Sequence, residues 1–487
     1  MVRTAIAVIS LRNKRRLHPF FRWTRKIRWF RQQVLCMASA KIAIIGGGPG
    51  GLITAHLLNQ RAKSPCEITI IEASHRVGGK IRTGTFDTAP IIYEAGAAEL
   101  YDYSQTGPDP LSELILKLGL SRRPMVGQTV IMGDLVLKND RDIRQKLGES
   151  TYIALKDFTR RAKSLISTKE YYESDWQADN EDPMCRQTFS QLLETVPDAM
   201  ARKYIRTAIH SDLATEPHLT NASYGLQNYL MNEPGYMSLY TIDGGIETLI
   251  HELTRRVKAN IELGRRVMRV ERAAEKKFKV FSRQHQETRV DEFDFVVAAI
   301  PNNWISAIEW GGEKLARAMH AHHLHYDHPA HYLRVSVLFE KSFWRDQIAE
   351  SYFMSDAFGG CCIYDETSRI DGCTFGVLGW LLGGESALTM SNLDDAALVD
   401  EVIDSLPACL GHGREMKIEA RVHRWVGSVN GLPAGFPMRE PDARHVPEPE
   451  EHPDLFVVGD YLFDSTLNGV MDSADTVAEW IVEEMEV

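Results

Sequence analysis

The apolar residues of this 487-residue chain fall into short dense runs broken by glycine, and the first run sets the reading of the rest. Four consecutive apolar positions, Ile42–Ile45, pass straight into Gly46, Gly47, Gly48, Pro49, Gly50 and Gly51. A run without polar alternation is a strand buried on both faces, and the glycines after it predict a tight turn into a helix starting near Pro49. The next run, Ile68–Ile71, predicts a second strand and ends in Glu72, 21 residues past Gly51. From about 101 to 240 the period becomes helical, as in Leu111, Leu114, Ile115 and Leu118, and β-type runs are scarce. Strand character returns after Tyr240. A helix over Ile246–Leu253 precedes short strands around Ile261–Val270 and Phe278–Phe281, then the buried run Phe293–Ile300. Residues 301–424 read as a separate layer with strands near 333–339, 374–381 and 417–425. A last buried strand starts at Leu455, stops at Gly459, and is followed by a helix from about Thr466 to Glu484.

Gly46, Gly48 and Gly51 hold the three positions of the dinucleotide fingerprint GxGxxG, with Glu72 where a βαβ unit needs a carboxylate for ribose hydroxyls. The expected class is therefore α/β: a Rossmann-like dinucleotide-binding domain interleaved with a discontinuous α+β substrate domain. The first takes 41–100, 241–300 and 425–487; the second takes 101–240 and 301–424; residues 1–40 form a basic extension outside the fold.

Composition adds limits. With 44% hydrophobic and 25% charged residues the chain is ordinary for a globular protein, and no apolar run reaches transmembrane length. Seven cysteines without CxxC spacing suit a reduced, cytoplasmic setting. The net charge of −10 hides ten Lys/Arg and no acid within residues 1–36, so the remaining body carries −20 and does not attract nucleic acid. The basic head fits an amphipathic segment on an anionic membrane surface, with Phe20, Trp23, Ile27, Phe30 and Val34 at helical spacing. It also fits a transit peptide, or a start of translation at Met37, which is the favoured reading.

A second glycine turn, Arg76–Thr83, follows Glu72 and sets Gly78 and Gly79 beside Lys80. Four motifs, Gly46–Gly51 with Glu72, then Arg76–Thr83, then Glu94–Ala98, then Val457–Asp460 followed by Leu467–Ser473, run in order along nearly the whole of 41–487. In all four the chain resembles the flavin amine oxidase superfamily, which includes monoamine and polyamine oxidases, L-amino acid oxidases, protoporphyrinogen oxidase and carotenoid desaturases. The resemblance implies FAD. It implies FAD contacts at Gly46, Gly48, Pro49, Gly50, Gly51, Glu72, Ala73, Gly78, Gly79, Lys80, Ala97, Val267, Gly459, Asp460, Leu467 and Asn468. A helix N-terminus at Leu467–Asn468 would stabilise negative charge on a reduced flavin.

The same resemblance marks departures. Arg334 stands where the family often carries a lysine near the flavin, and it suits either a carboxylate clamp or a plain surface position at a strand start. Thr466 replaces a tyrosine of the aromatic cage. Glu99 replaces an arginine that binds a substrate carboxylate, which favours a cationic substrate group; a local salt bridge is the alternative. Trp425 matches a family tryptophan near the cofactor or a core residue. Histidines 320, 322, 323, 325, 328 and 331 crowd a connection before the 333–339 strand, read as a polar loop and not a metal site. The expected activity is hydride removal from an amine-bearing carbon of a small molecule, with oxygen reduced to hydrogen peroxide. The alternatives are a desaturase or dehydrogenase with another acceptor, and a non-catalytic binding protein on the same scaffold. No catalytic base is identified.

Overall fold

The computed structural model describes residues 39–486, apart from 106, 174–181, 274–276, 437 and 464. The basic head at 1–36 lies outside the described residues. The chain divides into Met1–Ser39 and Ala40–Val487, and every described helix and strand belongs to the second unit.

Five strands form one parallel sheet in the order Asn260–Glu262, Cys66–Ile71, Ala40–Ile45, Phe295–Ala298, Leu455–Val457. The all-apolar run of the first strand has a direct physical reason, because successive side chains enter different cores. Ile42 and Ile44 join Leu52, Leu249 and Val477 from the helices Pro49–Arg61, Glu247–Arg256 and Leu467–Met485. Ala43 and Ile45 face the other way, toward Val267, Val280 and Leu315. Each buried isoleucine contributes roughly 1.5–3 kcal/mol through removal from water. On that second face lies a sheet ordered Glu287–Phe293, Phe278–Gln284, Arg266–Arg272 and Glu309–Trp310.

Another sheet has seven strands in the order Lys417–Asn430, Pro329–Phe339, Gly376–Gly383, Cys361–Asp365, Tyr352–Ser355, Val130–Met132, Leu135–Leu137. Its faces alternate as well. Cys362 and Tyr364 pack with the helices Glu149–Leu165, Ala199–Leu213 and Ala222–Met231, whereas Cys361 and Ile363 pack with the helix Asp395–Asp404. Among the described residues no helix is long and apolar enough to cross a membrane.

Two expectations are corrected and one is refined. The 101–240 stretch is mainly helical, with Pro110–Lys117, Glu149–Leu165, Ala199–Leu213 and Ala222–Met231 among its helices, but it also holds the strands Leu100–Asp102, Arg122–Met125, Val130–Met132, Leu135–Leu137 and Ser238–Ile242, most of three or four residues and too short to show a period. The opening of the 301–424 layer packs elsewhere, since Ile305, Trp310, Leu315, Met319 and Tyr326 belong to the core over the parallel sheet. The histidine-rich segment is no loop. His320, His322, His323 and His325 ride the helix Glu313–Tyr326, whose buried face is Leu315, Met319, His322 and Tyr326, so one imidazole occupies an apolar stripe.

Candidate active site

The first strand ends in a turn whose glycines do different things. Gly46 has φ +109°, and a Cβ there would sit 2.3 Å from the Ala299 carbonyl oxygen. A Cβ on Gly51 would lie 2.1 Å from the Gly46 oxygen, so this glycine lets helix and strand approach. Gly48 is unlike both, because a Cβ there would meet no protein atom nearer than Gly79 Cα at 3.9 Å. It caps the Pro49–Arg61 helix, which has no side-chain cap and no acid in its first turn. Free N–H groups at an uncapped helix start, beside an open glycine face, make an anion site.

Glu72 closes the turn from the neighbouring strand. Its carboxylate accepts from Gly47 N–H and Ser74 N–H, both at 2.7 Å. Its carbonyl accepts from Arg265 N–H at 2.9 Å, which brings Val267, buried at the start of Arg266–Arg272, to the same end of the sheet. Lys80 pairs with Asp460 and donates to the Ser428 carbonyl at 3.0 Å. Thus the turns at 46–51, 78–80 and 459–460 meet although they are far apart in sequence. Gly459 N–H donates to Ser473 Oγ at 3.1 Å, tying the third turn to the last helix.

Thr466 begins that helix by accepting from Gly469 N–H at 3.1 Å, with no acid in the first turn. Asn468 Nδ2 donates to Asp109 at 3.4 Å, and its Oδ1 is buried without a protein donor. In front of Thr466 opens a cavity of about 80 Å³, room for a few waters or a small ligand. Tyr101, Tyr103, Tyr171, Tyr224 and Tyr332 line it, together with Asp212. Next to it, Glu99 accepts from Tyr364 at 2.9 Å and Tyr101 at 3.2 Å. Burial pushes the Glu99 carboxyl above its ordinary range.

Behind this wall lies a fully buried charge network. Arg334 donates to Glu366 at 2.8 Å; Arg369 lies 3.2 Å from Glu366 and 3.5 Å from Glu94. Glu94 also accepts from Ile246 N–H and Thr83. Burial raises its carboxyl to about 7, against the pull of Arg369. Two arginines thus face two glutamates, Arg369 by ion-pair proximity alone, and neither arginine is among the described residues that line the cavity.

The sequence pattern of the flavin containing amine oxidoreductases matches residues 49–482. The chain belongs to that family. Solved structures agree in fold: a putrescine oxidase variant superposes with a TM-score of 0.72 at 19% identity, over 92% of this chain and 100% of that one. An L-amino-acid oxidase of Gloydius halys is 22% identical over 330 residues, 63% of this chain and 60% of that protein. Monooxygenase PC-14 of Penicillium crustosum is 36% identical over 67 residues, 13% of this chain and 12% of that protein. The chain therefore spans less than two thirds of these curated relatives. As a flavin-containing amine oxidoreductase it uses FAD, and the cradle fits that group: an anion-ready helix start, an open Gly48 face, the Glu72 carboxylate at the end of the neighbouring strand and an Asn468 oxygen without a protein donor.

In this oxidoreductase one candidate, Arg334, differs from what the sequence suggested. Arg334 is neither a surface residue nor an open carboxylate clamp: it is 1% exposed, on an internal strand between Lys417–Asn430 and Gly376–Gly383, and is held by Glu366. Trp425 is half-buried and donates to the Ala95 carbonyl at 2.6 Å. Ala73 and Ala97 are exposed, Ala97 N–H donating to the Lys80 carbonyl at 3.3 Å. Leu467 is half-buried at the helix start. Asp212 was not singled out from the sequence. It sits three, four and seven residues after Ile209, Ala208 and Ile205, an acid inside an apolar helix face, which is the signal that could have found it.

Proposed function

We propose that this protein is an FAD-dependent amine oxidase acting on a small amine. In this reading Gly46, Gly48, Pro49, Gly50, Gly51, Gly78, Gly79 and Lys80 hold the pyrophosphate side of FAD. Glu72, Ala73 and Val267 hold the adenosine, and Ala97, Gly459, Asp460, Leu467 and Asn468 the flavin side. FAD, when bound, accepts a hydride from the substrate carbon and passes the electrons on to oxygen, giving hydrogen peroxide. The chain's own task is to orient that carbon and exclude water. The observation that carries the reading is the cavity before Thr466: tyrosine-walled, acid-bearing, and without a cation among the described residues that line it. Such a site favours an ammonium-bearing ligand and repels a carboxylate. The domain division at 41–100, 241–300 and 425–487 against 101–240 and 301–424, amended so that residues 305–326 go with the parallel sheet, and a cytoplasmic setting belong to the same proposal. The six described cysteines, all free, support the second.

The test is a panel of amines, amino acids and polyenes mixed anaerobically with the holoenzyme. Amines should bleach the flavin band, and admitted oxygen should restore it with peroxide; bleaching by amino acids alone would overturn the reading. A second reading, transfer to an acceptor other than oxygen, is favoured by Arg334, a permanent cation held by Glu366 where relatives often carry a lysine. Slow reoxidation without peroxide would select it.

A further inference from the structure

Asp212 lies in the last turn of the helix Ala199–Leu213, where a carboxylate is out of place. The carbonyl end of a helix carries partial negative charge and favours cations, so an acid there is destabilised unless something positive arrives. The turn is held firmly. Ala214 ends the helix at φ 55°, a conformation costly for alanine, and its carbonyl accepts from His331 N–H at 2.8 Å and Gly384 N–H at 3.1 Å. Asp212 therefore cannot swing away with a fraying helix end. Its carboxylate lines the cavity, and no hydrogen bond or ion pair to it exists among the described residues.

A substrate amine arrives in water mainly as an ammonium ion, yet hydride leaves a carbon readily only when the adjacent nitrogen keeps its lone pair. Somewhere in the site a proton must come off nitrogen. Resting on the amine-oxidation reading, we infer that Asp212 is the catalytic residue that takes this proton: the N–H bond breaks, the electron pair stays on nitrogen, and an O–H bond forms on the carboxylate. Loss of charge on both partners also removes the conflict between Asp212 and the helix end.

The groups facing Asp212 agree with this role. Burial and the charge of Glu99 push its carboxyl well above the ordinary carboxylate range. Tyr101 from the strand Leu100–Asp102, and Tyr332, Tyr364 and Cys362 from the seven-stranded sheet, are raised as well, first by burial, so all stay protonated and neutral. On its own helix His210 is occupied by the Gly360 carbonyl at 2.9 Å and Glu216 at 3.0 Å. Arg334 and Arg369, which act on Glu99, are engaged by Glu366 and Glu94. Glu99 is the weaker acceptor because two tyrosine hydroxyls already donate to it.

The experiment uses holoenzyme, with benzylamine and 1,4-diaminobutane as probes, and extracts the apparent Kd from anaerobic flavin-bleaching rates at each pH. Wild type should show a plateau in Kd for total amine below about pH 10, ending at lower pH where Asp212 itself titrates. Asp212→Asn should keep its flavin spectrum but lose the plateau, its Kd rising about tenfold for each unit the pH falls, since only neutral amine from solution then binds productively. Glu99→Gln should keep the plateau and extend it to lower pH, which tests the inference even if Asp212→Asn does not fold. Identical slopes for wild type and Asp212→Asn, or an unmoved plateau in Glu99→Gln, would overturn the assignment. Failure of every amine to bleach wild-type flavin would instead refute amine oxidation, and this inference with it.

Discussion

Alanine at Gly48 and alanine at Gly51, two positions of the same glycine turn, should separate cofactor binding from folding. At Gly51 the new methyl would lie 2.1 Å from the Gly46 carbonyl oxygen and 3.1 Å from Ile44. Backbone cannot yield as a side-chain tip does, so the Gly51→Ala apoprotein should lose about 1–3 kcal/mol, the usual cost of overpacking. At Gly48 the backbone is φ −74°, ψ −177°, ordinary for alanine, and the nearest atom is 3.9 Å away. The Gly48→Ala apoprotein should lose nothing and gain up to about 1 kcal/mol, because alanine restricts the unfolded chain. The methyl does, however, fill the open face proposed for the FAD pyrophosphate. If one close backbone approach is blocked, FAD binding should weaken by at least about 1.4 kcal/mol, tenfold in Kd. Thermal unfolding of both apoproteins and titration with FAD by fluorescence quenching give the two quantities separately. Wild-type FAD affinity in a stably folded Gly48→Ala protein would refute the placement of the pyrophosphate. Equal destabilisation of both apoproteins would refute the division of labour among the glycines.

Three further outcomes are expected. Arg334→Met leaves Glu366 with Arg369 alone and should cost about 3 kcal/mol in urea unfolding; adding Glu366→Gln should recover much of it, and no recovery would mean that packing dominates. Glu94, raised by burial to about 7, makes the folded state bind more protons than the unfolded one between pH 4.5 and 7. Stability should therefore fall as pH rises through that window, and Glu94→Gln should flatten the fall in a pH series of melting temperatures. His322, pushed by burial down to about 3, binds fewer protons folded than unfolded between pH 6.5 and 3. Stability should drop on acidification there, less so in His322→Leu; an unchanged acid limb would count against a neutral, buried imidazole.

The sequence was most readable where a single constraint acted on consecutive residues. Ile42–Ile45 had to serve two cores at once, so the run declared a buried parallel strand without help from its neighbours. The same holds for the helix Leu467–Met485, met within a residue of the expected bounds. Legibility failed where the constraint came from distant chain. Strands such as Val130–Met132 are fixed by a parallel pairing with Tyr352–Ser355, and three residues carry no period of their own. Arg334 gave no local sign of burial, because its partner Glu366 is 32 residues away on another element. The tyrosines of the cavity come from four separate segments, and only folding brings them into one wall.

The packing of the first helix on the last has a consequence for synthesis. Leu52 and Ile53 share their core with Val470 and Val477, and Arg61 pairs with Asp475, 414 residues later. At about 5–20 residues per second, the ribosome takes roughly 20–80 s to cover that interval. Throughout it the part of the helix Pro49–Arg61 that packs on Val470 and Val477 stays uncovered, so the core around the first strand closes only after the helix Leu467–Met485 has been made.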